Sequence, residues 1–178
     1  FGERREQGFR PTSPVAGTDA AHHALLVGRT LLGLWVSDVM SVVDWLQDQV
    51  DIVSSEHIYA MGHSAGGTTA LFTAAIDTRI AGVVASGCVG SWLRNQVRRR
   101  DQEGQLAIPG ILNWLELSDV LGLVAPRLLL VLSGNRDHIW PFEEALQVVE
   151  EAAQVYEAAG ALQNIRAVRG EGGHRFYP

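Results

Sequence analysis

The stretch Gly62-His63-Ser64-Ala65-Gly66 sets one hydroxyl among residues with almost no side chain. It follows a strand-like run, His57–Gly62, and opens a helix-like run, Gly66–Ile76. So tight a turn strains the backbone of its central residue, and glycines two positions either side relieve the contact with the flanking elements. The serine is thereby held clear of the strand. It stands at a helix N-terminus, whose amides and dipole favour a developing negative charge. A serine displayed in this way can attack an acyl carbon, with the amide of Ala65 as a donor to the oxyanion. The plainer reading of the same five residues is a glycine-rich turn without chemistry.

A serine nucleophile needs a base, and the base needs an orienting acid. Asp137 directly follows Arg127–Gly134, the strongest apolar run of the chain, and His174 lies in a glycine-rich loop after Asn164–Gly170. Both fall at expected C-terminal strand ends, where open parallel sheets gather their chemistry, and the order Ser, Asp, His suits a hydrolytic triad. Each also has a plainer role: Asp137 could fix the loop before a helix opening at Pro141, and His174 could be a surface histidine. His63 and His138 adjoin Ser64 and Asp137 and are poorly placed to bridge the other two members. Glu143 and Glu144 read as first-turn helix acids, and His22 and His23 stand far from any strand end. No His/Cys/Asp grouping has a metal-ligand spacing.

The elements that must carry these residues alternate. A helical period runs over 19–50, with a bend expected at Gly33 and a cap at Ser37. Runs 57–62, 79–87, 127–134 and 164–170 read as strands. The stretch 141–160 is an amphipathic helix with Pro141 at its start and Gly160 at its end. Strand and helix in alternation give an α/β fold built on a parallel sheet with helices on both faces. At 178 residues, with 47% hydrophobic and 19% charged residues, one globular domain over 1–178 is expected. Residues 1–20 form an irregular lead-in and 88–126 a cap or insertion. A formal charge of −6 argues against a nucleic-acid surface, and acidic neighbours offset the basic runs Arg4-Arg5 and Arg98-Arg99-Arg100. No run is long and apolar enough for a membrane span, and no signal peptide opens the chain, so a cytoplasmic location is expected. The single cysteine, Cys88, reads as a small buried hydrophobe.

The chain resembles the α/β-hydrolases, nearest the dienelactone hydrolase and acetyl-xylan-esterase-like group. The likeness rests on Gly28–Leu46, the Gly62–Gly67 turn, Leu123–Pro141 and the closing Gly172-Gly173-His174-Arg175-Phe176-Tyr177-Pro178. It implies Ser64 as nucleophile, His174 as general base, Asp137 as its acid, ester substrates and no cofactor. Against the family pattern, strands that would precede Phe1 and a last helix are absent, together with a loop whose amide supplies half of the oxyanion hole. The strand at 57–62 then becomes a sheet edge without proline or lysine, and self-association of the chain through that edge is expected. A small-molecule ester is the expected partner. Two other readings stand beside the esterase: a serine peptidase of the prolyl-oligopeptidase kind, and a non-catalytic interaction module derived from a hydrolase. The tryptophans Trp92, Trp114 and Trp140 could line a pocket, although packing is the commoner role.

Overall fold

The computed structural model describes residues 15–49, 54, 57–98 and 106–177. Expectations for residues 1–14, 50–53 and 99–105 lie outside the described residues. The elements run α1 (Val15–Leu26), α2 (Leu31–Gln47), β1 (Ile58–His63), α3 (Ala65–Ile76), β2 (Ile80–Ser86), α4 (Trp92–Arg98), α5 (Leu117–Gly122), β3 (Leu128–Gly134), α6 (Phe142–Ala158) and β4 (Ile165–Gly170). The strands pair in chain order, β1-β2-β3-β4, and every pair is parallel.

The first helical stretch breaks earlier than the sequence period indicates. Gly28, at φ +70°, turns the chain between α1 and α2, and Thr30 is the N-cap: its hydroxyl accepts from the Gly33 amide at 3.0 Å. Thr30 has the extended backbone a cap requires, whereas Ser37 lies within α2. Gly33 therefore supplies one of the orphan amides of the first turn rather than a bend. The lead-in is shorter than expected, since α1 already begins at Val15.

Strand alternation sorts the sheet into two faces. One carries Val83 and Ala85 of β2, Leu129 and Val131 of β3, and Ile165 of β4, all buried. Against it stand Leu71 and Ala74 of α3, Leu117 and Leu121 of α5, and Ala145, Val148 and Ala152 of α6, joined in one apolar cluster. Helix α2 packs on α3 and buries Leu32, Val36 and Val43. Part of the expected cap is thus a core layer, because α5 closes the gap between α3 and α6. Ring stacking of Phe72 on Trp92, with centroids 5.4 Å apart, ties α4 to α3.

The α/β class and the parallel sheet with packed helices are as expected, and α3, α5 and α6 share one face of the sheet. The other face carries Tyr59, paired through Gly82 with Leu128, and Met61, paired through Val84 with Leu130. Tyr59, Met61 and Leu128 are 56%, 65% and 48% exposed, and β1 forms the sheet edge. Far from the C-terminal strand ends, Arg79 binds Asp77 and Asp44 and so fixes α2 to the turn entering β2.

Candidate active site

At the C-terminal strand ends His63 lies beside Ser86 and Gly134 beside Gly170, while Ser86 pairs with Leu132 and β3 runs on to Gly134. Each candidate residue leaves from one of these ends. Ser64 has φ 54° and ψ −126° and is the non-glycine residue with positive φ among the described residues. A conformation of this kind costs about 1–3 kcal/mol and persists only where its surroundings enforce it. The enforcement is visible. The Ser64 amide donates to the Ser86 carbonyl at 2.8 Å, and the Ser64 carbonyl accepts the first helical bond, from the Thr68 amide at 3.0 Å.

Two glycines permit the turn, and they are not both the expected pair. A Cβ at Gly62 would collide with the backbone of Gly66 and Gly67, while one at Gly67 would lie 2.7 Å from Cys88 Sγ and 2.9 Å from the Gly62 carbonyl oxygen. Around Gly66 the space is open. The close approach of α3 to the ends of β1 and β2 therefore rests on positions 62 and 67. Ala65 opens α3, so its amide is one of the four that an α-helix leaves without an internal acceptor.

Asp137 is buried in the β3–α6 loop and uses both carboxylate oxygens. Oδ1 accepts from the Ile139 amide at 2.8 Å and the Trp140 amide at 3.0 Å, which shapes the loop. Oδ2 lies 2.8 Å from His174 Nδ1. The loop-fixing and histidine-orienting roles weighed on sequence are thus held by opposite oxygens of one carboxylate. Burial alone would raise its pKa, but the His174 hydrogen bond and the two amides outweigh burial and hold the carboxyl below the ordinary range.

The acid and histidine loops are interlocked. Arg136 donates its amide to the Gly172 carbonyl at 2.8 Å, Asn135 Oδ1 accepts from the Gly172 amide at 2.9 Å, and Asn135 Nδ2 reaches Glu171 at 2.8 Å. The Tyr177 hydroxyl donates to the Gly173 carbonyl and closes the histidine loop. The Asp137–His174 pair is therefore preset by backbone rather than left to two free side chains. Among the described residues no hydrogen bond joins Ser64 Oγ to His174, and the ring of His63, next to Ser64 in the chain, lies against that of His174.

The other sequence candidates fall elsewhere. His138 is exposed, His22 and His23 are exposed on α1, and Glu143 and Glu144 occupy the first turn of α6, where Glu143 pairs with Arg169. Trp92 and Trp140 are core residues, whereas Trp114 is 85% exposed. His63, adjacent to Ser64 in the chain, meets His174. Its ring centroid lies 4.6 Å from that of His174, and its Nδ1 is 3.2 Å from Ser86 Oγ. Burial, and then the charge of His174, hold its imidazole below the usual histidine range. The signal was available in strand alternation, which turns His63 to the sheet face of Met61, away from the Ala60 side.

Comparison with known proteins places this arrangement. The profile of the prolyl oligopeptidase family matches residues 28–177. The provisionally named hydrolase YtaP of Bacillus subtilis (strain 168) is 30% identical over 177 residues, 98% of this chain and 56% of that protein. Solved structures of similar fold include a glucuronoyl esterase from Solibacter usitatus, with TM-score 0.67 and 17% identity over 95% of this chain and 47% of that one. Another is a provisionally named acetyl xylan esterase from Bacteroides fragilis NCTC 9343, with TM-score 0.71 and 17% identity over 86% of this chain and 40% of that one. The chain spans about half the length of the relatives it matches. With a parallel sheet, a strained serine at the β1–α3 turn and a family profile matched from α2 to the histidine loop, the chain belongs to the prolyl oligopeptidase family, within the α/β-hydrolase superfamily.

Proposed function

We propose that this chain carries the catalytic centre of a serine hydrolase that cleaves carboxylic esters through an acyl-enzyme. The observation that carries the reading is the strained display of Ser64 beside a preset Asp137–His174 pair. Asp137 Oδ2 holds the proton on His174 Nδ1, which leaves Nε2 as the base. Ser64 Oγ bonds to the ester carbonyl carbon as its proton passes to Nε2, and the carbonyl oxygen, now negative, accepts from the Ala65 amide. One such donor is worth roughly 3 kcal/mol in the transition state. Collapse breaks the carbon–alkoxy bond, and the alcohol leaves with the proton from Nε2. Water then gives a proton to Nε2, attacks the acyl carbon and releases the acid, and Ser64 Oγ recovers its proton.

The matched family profile favours a second reading, in which the same centre acts on peptide bonds. A fluorophosphonate probe tests the shared chemistry, and p-nitrophenyl esters against aminoacyl p-nitroanilides separate the two. Labelling of the chain, its loss in Ser64→Ala with the fold retained, and preference for esters are the expected results. Labelling that survives Ser64→Ala overturns the assignment of the nucleophile.

A further inference from the structure

A single hydrogen bond from Asp137 fixes one nitrogen of His174 but leaves the ring free to pivot about it. Catalytic side chains need a second constraint to hold a productive geometry. The structure contains one on the ring's other side. His63 lies against His174 at a centroid separation of 4.6 Å with planes tilted by 44°, within the range of aromatic contact.

His63 is itself braced. It ends β1, its Nδ1 is 3.2 Å from the hydroxyl of the fully buried Ser86, and Gly87 flanks both rings. Gly87 has φ +57°, and a Cβ there would lie 2.7 Å from His63 Cε1 and 3.2 Å from His174 Cε1. Backbone thus stands where any other residue would push the imidazoles apart. The Ser86 carbonyl holds the Ser64 amide, so one strand end sets both the nucleophile and the brace. Burial favours a neutral His63, so the ring places no second cation beside the imidazolium that forms on His174 during acyl transfer.

We propose that His63 is a positioning residue, whose ring is the wall that keeps the His174 imidazole on Asp137 with its far nitrogen free for Ser64. The inference rests on the acyl-transfer reading above. It concerns the ring as a surface rather than its nitrogens, and that distinction makes it testable.

The experiment compares the unaltered chain with His63→Ala, His63→Phe and His63→Gln. The readouts are kcat and KM for p-nitrophenyl acetate and the far-downfield proton resonance of the Asp137–His174 hydrogen bond. His63→Ala and His63→Gln are expected to lower kcat on the order of 10–100-fold, the cost of a misplaced catalytic group. KM should change by less than about twofold, because binding is not what the wall provides. His63→Phe should restore most of kcat, and the resonance should broaden in His63→Ala and sharpen again in His63→Phe. An alanine variant with unaltered kcat and resonance overturns the proposal, as does recovery by glutamine but not phenylalanine. Where the alanine variant fails to fold, the phenylalanine–glutamine contrast decides. An unaltered chain without turnover overturns the proposed function instead. The resonance then still reads whether His63 holds His174, and an unchanged signal in the variants rejects the wall.

Discussion

The carboxylate of Asp137 shows how one residue can serve shape and chemistry at once. Its Oδ1 binds two loop amides and its Oδ2 faces His174, so an amide in its place keeps the first role and loses the second. Asp137→Asn is expected to fold and to lower ester turnover on the order of 10³–10⁴-fold, since the wrong tautomer disables the base. The same substitution has a signature in acid. A folded pKa held below the unfolded value contributes stability that is present above the unfolded pKa, near 4, and is lost as pH falls through the lower folded value. The thermal midpoint of Asp137→Asn should therefore fall less steeply than that of the unaltered chain between about pH 5 and pH 2. Asp77, held low chiefly by its hydrogen bond from Arg79, retains its share of the acid sensitivity in both. Equal slopes would remove the assigned ion pair. The apolar runs ahead of Ser64, Asp137 and His174 are legible in the sequence, and the structure sets Asp137 and His174 in contact at the ends of those strands. The contact of His63 with His174 is not legible there, because it follows only once the strand's two faces are assigned.

Among the elements, the β1–α3 turn carries the most tension. Positive φ at Ser64 is imposed by the Ser86 carbonyl on one side and the start of α3 on the other. Glycine reaches that region without the steric cost that any Cβ meets there. Ser64→Gly should accordingly be more stable than Ser64→Ala by about 1 kcal/mol, partly offset by the greater freedom of glycine in the unfolded chain. Urea unfolding of the two variants measures this, and an alanine variant equal to or more stable than glycine would mean that the turn relaxes on losing the hydroxyl. The four strands and α6 could be read directly, since their apolar runs are bounded by glycine or proline. The α1–α2 break is not legible, because periodicity runs through it unchanged. A threonine hydroxyl meeting the Gly33 amide marks it, and pattern alone does not weigh that bond. Gly66 and Gly67 are likewise equivalent as letters, yet only the second faces Cys88.

At the scale of the molecule, the sheet divides the chain into a dense side and a bare one. Core packing against α3, α5 and α6 uses one face, while Tyr59, Met61 and Leu128 lie open on the other, and β1 is an edge strand among the described residues. Apolar surface adjoining free strand amides favours pairing with another chain. The chain by itself is therefore expected to self-associate with rising concentration in sedimentation velocity, and Tyr59→Lys with Met61→Glu to shift it toward monomer. A concentration-independent monomer would show that this face is covered. On the dense side, the single thiol of the chain lies directly beneath the β1–α3 turn. Cys88 is 1% exposed, burial pushes its thiol up to about 12, and its sulfur faces Gly67. A thiol so placed is silent toward alkylating reagents until α3 lifts from the ends of β1 and β2. Its trapping rate consequently reads the opening of that turn. At reagent concentrations where alkylation outpaces reclosing, that rate reports how often the floor under Ser64 opens, without a substrate.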